Sequence, residues 1–151
     1  MDISNLINIQ SIFPSLKATS KKQILQELGN IANKHIGYEP FEIANVLMER
    51  ERLGSTGVGH GVAIPHGRFS ELKQIFGIFA KLEKPVSYDA IDDQPVDLIF
   101  LLLVPEQAGA DHLKALAKVS RILRDQTICE QLRGTNSSDA IFAILTSQQA
   151  A

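Results

Sequence analysis

Hydrophobic residues recur at helical spacing in the first third of the chain. Ile24 and Leu28 lie four positions apart, Ser20 precedes them, and Gly37 follows them. Serine is a common helix N-cap, and glycine commonly ends a helix because it tolerates a left-handed conformation. The pattern therefore predicts a helix over about residues 20–36.

A second helix is predicted between Pro40 and Gly54. Proline suits a first helical turn, where its missing N–H would have no partner in any case. Ile43 and Leu47 share one face, and Arg50 falls in the last turn, where a positive charge is favourable. This helix leads directly into a glycine-rich segment.

The middle of the chain changes to strand patterns. Residues 62–64 form a short strand candidate that Pro65 interrupts, so we expect His66 just past a strand end, on a loop. Residues 75–82 and 96–104 are continuous apolar runs, which are typical of strands buried on both faces. Each run has the length of a strand.

Helical spacing returns after Pro105. Asp111 is the predicted N-cap of the next helix, which places His112 in its first turn. Two shorter helices are predicted, one near residues 126–133 and one after Asn136.

The resulting order of elements is α-α-β-β-β-α-α-α, with a weaker strand candidate at residues 86–88. We therefore expect one α/β domain over residues 1–151, in which helices flank a small mixed β-sheet. No internal repeat or linker divides the pattern.

Composition excludes several classes of function. Fifteen basic and 17 acidic residues give a net charge of −2, without a long block of either sign, so a nucleic-acid groove or an anionic membrane surface is not expected. The run at residues 98–104 is too short to span a bilayer, and the N-terminus lacks the pattern of a signal peptide. Cys129 is the only cysteine. We expect a cytoplasmic protein without disulfides.

Glycines cluster at residues 54–67, and this cluster raises the question of a nucleotide site. Gly57, Gly59 and Gly61 are spaced as G-x-G-x-G, but the third glycine of a dinucleotide fingerprint is missing, and no Gly-Lys-Ser/Thr follows. Glycines still let backbone N–H groups approach an anion closely, so a ligand of phosphate size remains reasonable.

His66 is the strongest candidate for chemistry. Pro65 fixes its backbone and Gly67 leaves its surroundings open, and a fixed imidazole that is neutral near pH 7 can act as a nucleophile. His112 at a helix start should be mainly neutral and able to donate an N–H to an anion. The alternatives are plain surface histidines, or a zinc site that also uses His60, although the spacing matches no familiar ligand motif.

Two blocks of sequence carry a resemblance to a known family. They are RERLGSTGVGHGVAIPHGR at residues 50–68 and QPVDLIFLLLVP at residues 94–105, the second continuing to His112. The first resembles the active-site segment of enzyme IIA of the fructose/mannitol class in the bacterial phosphotransferase system, and its Gly-Ser-Thr-Gly is most similar to the nitrogen-regulatory branch. The resemblance spans essentially the whole chain.

The resemblance implies a phosphocarrier that takes a phosphoryl group from an HPr-like protein. His66 matches the phosphorylated histidine, His112 the second active-site histidine, and Arg50 the arginine beside them. Ser55, Thr56, Gly57 and Gly67 are then expected to surround the phosphoryl group. Because the donor is already a phosphoprotein, we expect no cofactor and no metal.

Two roles follow from the resemblance. The carrier either acts as a regulatory switch for target proteins or passes the phosphoryl group to a IIB component for sugar uptake, and the absence of a transporter domain favours regulation. His60 departs from the family pattern, in which a small polar residue is expected, and it predicts a third imidazole near the site.

Overall fold

The computed structural model describes residues 2–147, which fold into a six-stranded mixed sheet with helices on both faces. The strands are β1 (Ile12–Leu16), β2 (Gly57–Gly59), β3 (Val62–Ala63), β4 (His66–Phe69), β5 (Phe76–Val86) and β6 (Val96–Pro105). The helices are α1 (Lys21–Ile36), α2 (Pro40–Arg52), α3 (Ala110–Arg124), α4 (Gln126–Arg133) and α5 (Ser138–Thr146), and two 3₁₀ turns (Ile3–Asn5 and Ile9–Ser11) precede β1.

The sheet is organised around β6. Its strand order is β1-β5-β6-β3-β2. β4 also pairs with β6, at the residues that follow those paired with β3. β5 and β6 are antiparallel, whereas β3 and β4 run parallel to β6, which confirms the predicted mixed sheet.

Side chains of β6 alternate between two hydrophobic cores. Leu98 and Phe100 pack on the face covered by α3, α4 and α5, whereas Ile99 and Leu101 pack on the face covered by α1 and α2. Successive side chains of a strand point to opposite faces, so a strand buried on both faces is apolar throughout. The prediction that residues 96–104 form a strand buried on both faces is therefore confirmed.

Most of the predicted helices are present with nearly the predicted bounds. The Ser20 side chain accepts a hydrogen bond from the N–H of Gln23 at the start of α1, and Gly37 ends that helix with a φ of 76°. Asp111 as the N-cap of α3 is wrong. The chain turns at Gly109, whose φ is 57°, and Asp111 lies inside the first turn. His112 is in that turn, as predicted.

The strand predictions need four corrections. β2 was not predicted, because its sequence, Gly-Val-Gly, lies within the glycine cluster. His66 lies on a strand rather than on a loop, because the chain resumes pairing with β6 immediately after Pro65, whose carbonyl accepts from the N–H of Leu102 at 2.9 Å. Of the candidate strand at residues 86–88 only Val86 is in a strand, as the last residue of β5. β1 was not predicted, since Pro14 interrupts its pattern; an edge strand tolerates a proline.

Among the helices formed by residues 2–147, none combines the length and the apolar character that crossing a bilayer requires.

Candidate functional site

Three elements bring His66, His112 and Arg50 to one cavity. His66 begins β4, Arg50 lies in the last turn of α2 on one face of the sheet, and His112 lies in the first turn of α3 on the other face. The cavity has a volume of about 500 Å³. It is lined by Val46, Glu49, Arg50, Leu53, His66, Gly67, Arg68 and His112.

Hydrogen bonds fix the tautomer of His66. Its Nδ1 lies 2.9 Å from the carbonyl oxygen of Ile64, which can only accept, so Nδ1 carries the proton. The Nε–H of Arg50 donates to Nε2 of His66 at 3.2 Å, so Nε2 holds a lone pair. His66 is thus a neutral imidazole whose nucleophilic nitrogen is Nε2.

Burial favours the same neutral form of His66. The residue is only 8% exposed, and desolvation lowers its pKa below the ordinary 6.5. The positive charges of Arg50 and Arg68 also lower this pKa, whereas the Ile64 carbonyl and the Glu51 carboxylate raise it without reversing the direction. His66 is therefore available as a nucleophile at neutral pH.

The ring of His112 packs against the ring of His66, and its pKa is lowered as well. The two ring centroids are 5.4 Å apart at an interplanar angle of 63°. Burial lowers the pKa of His112. The positive charge that His66 carries when protonated, and the charges of Arg68 and Arg50, lower this pKa further. The direction is the one expected from sequence, but burial rather than the helix terminus is the main cause.

The Nε2 atom of His112 has no hydrogen-bond partner. It is the only buried side-chain nitrogen or oxygen without one among residues 2–147. A buried polar group in a folded protein normally has a partner, and a group that lacks one calls for an explanation such as a ligand. His112 lines the cavity beside His66, which makes that cavity the candidate position for such a ligand.

Arg50 is held by two contacts. Besides its Nε contact with His66, its Nη1–H donates to the carbonyl oxygen of Gly54 at 2.9 Å. The guanidinium thus connects the candidate nucleophile to the turn that follows α2.

Of the four residues expected around a phosphoryl group, Gly67 lines the cavity and Ser55, Thr56 and Gly57 do not. Their polar groups already have protein partners. Thr56 donates its N–H to Glu51 at 3.0 Å and its hydroxyl to the same carboxylate, and the N–H of Gly57 donates to the Ser55 hydroxyl at 3.0 Å. They support the turn behind Arg50.

Glu51 is the centre of a buried network that sequence reasoning missed. Its carboxylate is 2.9 Å from the ammonium of Lys21, which also lies 4.6 Å from the ring centroid of Tyr88. The hydroxyls of Tyr88 and Thr56 are 3.2 Å apart. Because Glu51 follows Arg50 in the chain, this network fixes the end of α2 from which Arg50 extends.

His60 lies away from the site, and the expectation of a third imidazole there is wrong. Val62 pairs with Leu98 and His66 with Leu102, so four residues of β6, about 13 Å, separate those two positions. His60 precedes Val62 still farther from the cavity, where its N–H donates to the Asp92 carboxylate at 2.9 Å. A zinc site that joins His60 to His66 is thereby excluded.

Arg68 also lines the cavity, and the sequence analysis assigned it no role. It follows His66 by two positions on β4, so the two side chains leave the same face of the strand. That two-residue spacing would have indicated Arg68, had β4 been recognised as a strand.

Comparisons with known proteins agree on one family. Residues 5–148 match the family model described as phosphoenolpyruvate-dependent sugar phosphotransferase system, EIIA 2. A nitrogen regulatory protein of Bradyrhizobium diazoefficiens is 51% identical over 145 residues, which cover 96% of this chain and 95% of that protein.

Two solved structures extend the likeness to the fold. The crystal structure of nitrogen regulatory protein IIA-Ntr from Neisseria meningitidis has a TM-score of 0.91 at 39% identity, covering 95% of this chain and 99% of that one. The crystal structure of IIA mannitol from Escherichia coli has a TM-score of 0.76 at 25% identity, covering 92% and 98%.

Proposed function

The chain belongs to the EIIA 2 family of the phosphoenolpyruvate-dependent sugar phosphotransferase system, and from that premise we propose that it carries a phosphoryl group on Nε2 of His66, received from an HPr-like phosphocarrier. The observation that carries this proposal is the tautomer of His66. The Ile64 carbonyl holds the proton on Nδ1, which leaves the Nε2 lone pair at the cavity.

The transfer needs no change of protonation at the attacking nitrogen. The Nε2 lone pair forms a bond to phosphorus as the bond from phosphorus to the donor's nitrogen breaks and its electron pair returns to the donor's imidazole. Nδ1 keeps its proton, and the phosphorylated ring becomes positively charged. The Ile64 carbonyl, 2.9 Å from Nδ1, stabilises that charge.

Arg50 and His112 supply the charge stabilisation that phosphoryl transfer requires. The reaction asks a protein mainly to position the groups and to stabilise negative charge on the transferring oxygens. The guanidinium of Arg50 lies at Nε2 of His66, and the unpartnered Nε2 of His112 lies in the neighbouring ring. Both residues line the same cavity as His66, where a phosphoryl group on His66 would place its oxygens.

The role we favour is regulatory. Relatives named nitrogen regulatory protein cover nearly the whole chain at 51% and 38% identity, the latter in Escherichia coli. In this role the phosphorylation state of His66 decides which target proteins the carrier binds. The alternative is a sugar-specific carrier that passes the phosphoryl group to a IIB component, and the likeness to IIA mannitol supports it as second.

Label transfer from a phosphorylated HPr-like protein tests the proposal. We expect uptake of one acid-labile label, its loss in His66→Ala, and full uptake in the matched control His60→Ala, which removes a histidine outside the cavity. Histidine-bound label in His66→Ala would overturn the assignment. Onward transfer to a purified IIB component would favour the sugar-uptake role over the regulatory one.

A further inference from the structure

Arg68 contacts Nδ1 of His112, the ring nitrogen opposite the unpartnered Nε2. Its Nη2 lies 3.4 Å from Nδ1 of His112, and its Nη1 lies 3.4 Å from the carbonyl oxygen of Glu106, just beyond the end of β6. The Arg68 guanidinium thus contacts both the Glu106 carbonyl and the His112 imidazole.

A guanidinium has donors and no acceptor, which decides the protonation of its neighbour. In the contact with Arg68, Nδ1 of His112 must accept. A neutral imidazole that accepts at Nδ1 carries its proton on Nε2. The Nε2 of His112 is thus a donor, and it is the buried donor that lacks a partner within residues 2–147.

We propose that Arg68 is a positioning residue that holds His112 in its Nε2–H tautomer and so keeps a hydrogen-bond donor free for a phosphoryl oxygen. Only the identity of the acceptor rests on the proposed function, because the tautomer is a property of the unphosphorylated protein.

The arrangement mirrors that of His66. In His66 a carbonyl acceptor puts the proton on Nδ1 and leaves Nε2 as a lone pair; in His112 a guanidinium donor puts the proton on Nε2. Two adjacent imidazoles are thereby given opposite tasks, one as nucleophile and one as donor. The backbone carbonyl of Ile64, just before β4, and the Arg68 side chain on β4 set this difference, rather than the histidines themselves.

Nitrogen NMR of the histidine rings tests the assignment directly in the unphosphorylated protein. Above its pKa, wild-type His112 should show an unprotonated Nδ1 and a protonated Nε2. Arg68→Glu replaces the donor with an acceptor and should place a proton on Nδ1 of His112 instead. Arg68→Met should raise the titration midpoint of His112, and Arg68→Lys should restore most of the wild-type behaviour, because it keeps a charged donor.

A matched control separates this contact from loss of charge in general. Arg121→Met removes an exposed arginine of α3 and should leave the His112 spectrum and titration unchanged. Protonated Nδ1 in wild-type His112, or an unchanged Nδ1 signal in both Arg68→Met and Arg68→Glu, would overturn the proposal.

The phosphoryl-transfer readout distinguishes failure of this inference from failure of the proposed function. Arg68→Met should slow label uptake by His66 on the order of tenfold, as expected for loss of a group that orients a functional imidazole, and Arg68→Lys should recover part of the rate. A wild-type rate in Arg68→Met contradicts the positioning role. No uptake by the wild-type protein, with the His112 tautomer as described, contradicts the proposed function alone.

Discussion

Arg50 donates its Nε–H to Nε2 of His66 across 3.2 Å, so the lone pair that the proposed reaction uses accepts a hydrogen bond from a positively charged group. The contact discourages protonation of Nε2 and keeps the nucleophile neutral. It also means that the guanidinium must move when a phosphorus atom approaches. After a small movement, the same guanidinium can donate to the phosphoryl oxygens.

Replacing Arg50 with alanine should slow phosphoryl transfer and leave the fold intact. Loss of one charge-stabilising donor costs on the order of 10²–10³ in rate, and we expect a similar loss for His112→Ala. Rates of label uptake, with circular dichroism as a check on the fold, measure the effect. The control is Arg121→Ala, because Arg121 is an exposed arginine of α3 that does not line the cavity. Wild-type rates in Arg50→Ala would remove its assigned role.

The pH dependence of His66 has a defined sign. Because its folded pKa lies below 6.5, the neutral nucleophile and the transfer rate should persist below pH 6.5 and fall only near the lowered pKa. In the window between that pKa and 6.5 the unfolded chain binds more protons. The contribution of His66 to the free energy of unfolding is thus full above pH 6.5 and decreases as pH falls.

Ring NMR titration and denaturation measure these two effects. Denaturant unfolding of wild type, His66→Gln, His112→Gln and the double variant at pH 7.5 and 5.5 separates the contribution of His66 from its coupling to His112. The wild type should lose more stability on acidification. A His66 ring that titrates at or above 6.5 would contradict the lowered pKa.

Substituting alanine for Gly67 should displace α2 and with it Arg50. A Cβ at Gly67 would lie 2.6 Å from Cγ1 of Val46, so the helix or the strand must shift. We expect a loss of about 1–3 kcal/mol in the free energy of unfolding, together with slower label uptake. Gly134→Ala is the matched control, because its Cβ would lie no closer than 3.4 Å to its neighbours. Equal stability of the two variants would show that the site tolerates a Cβ.

Phosphorylation should weaken the binding of a regulatory partner to this face. Leu53, which lines the cavity, and Leu113, which follows His112 in the chain, are 84% and 67% exposed. A phosphoryl group adds a charge approaching −2 at pH 7 on a protein with a net charge of −2. A partner that covers these leucines must desolvate the new charge. We expect the unphosphorylated form to bind at least tenfold tighter, equivalent to about 1.4 kcal/mol.

Titration of one confirmed regulatory partner against both forms decides this prediction. His66→Ala, treated with the phosphoryl donor, should keep the affinity of the unphosphorylated protein. Equal dissociation constants for the two wild-type forms would mean that the partner uses a different face.

Local chemistry explains which features the sequence could predict. The bounds of α1 follow from Ser20 and Gly37, whose roles depend on the immediate backbone alone. The position of His60 could not be predicted the same way, because the chain from Val62 to His66 runs along β6 and carries His66 away from the turn that holds His60, although the two are close in sequence. Thr56 was expected near a phosphoryl group because of the family resemblance, and the sequence does not show that Glu51 already accepts from both of its donors.

The assembly of the site from both faces of the sheet has a consequence for biosynthesis. Arg50 and His112 stand 62 residues apart in the chain and meet only when helices from opposite layers are docked on the sheet. Bringing such distant segments together costs loop entropy that only the finished core offsets. A nascent chain still on the ribosome, with α3 not yet released, has no complete site. Readiness to accept a phosphoryl group thus reports that α2 and α3 have both docked on the sheet.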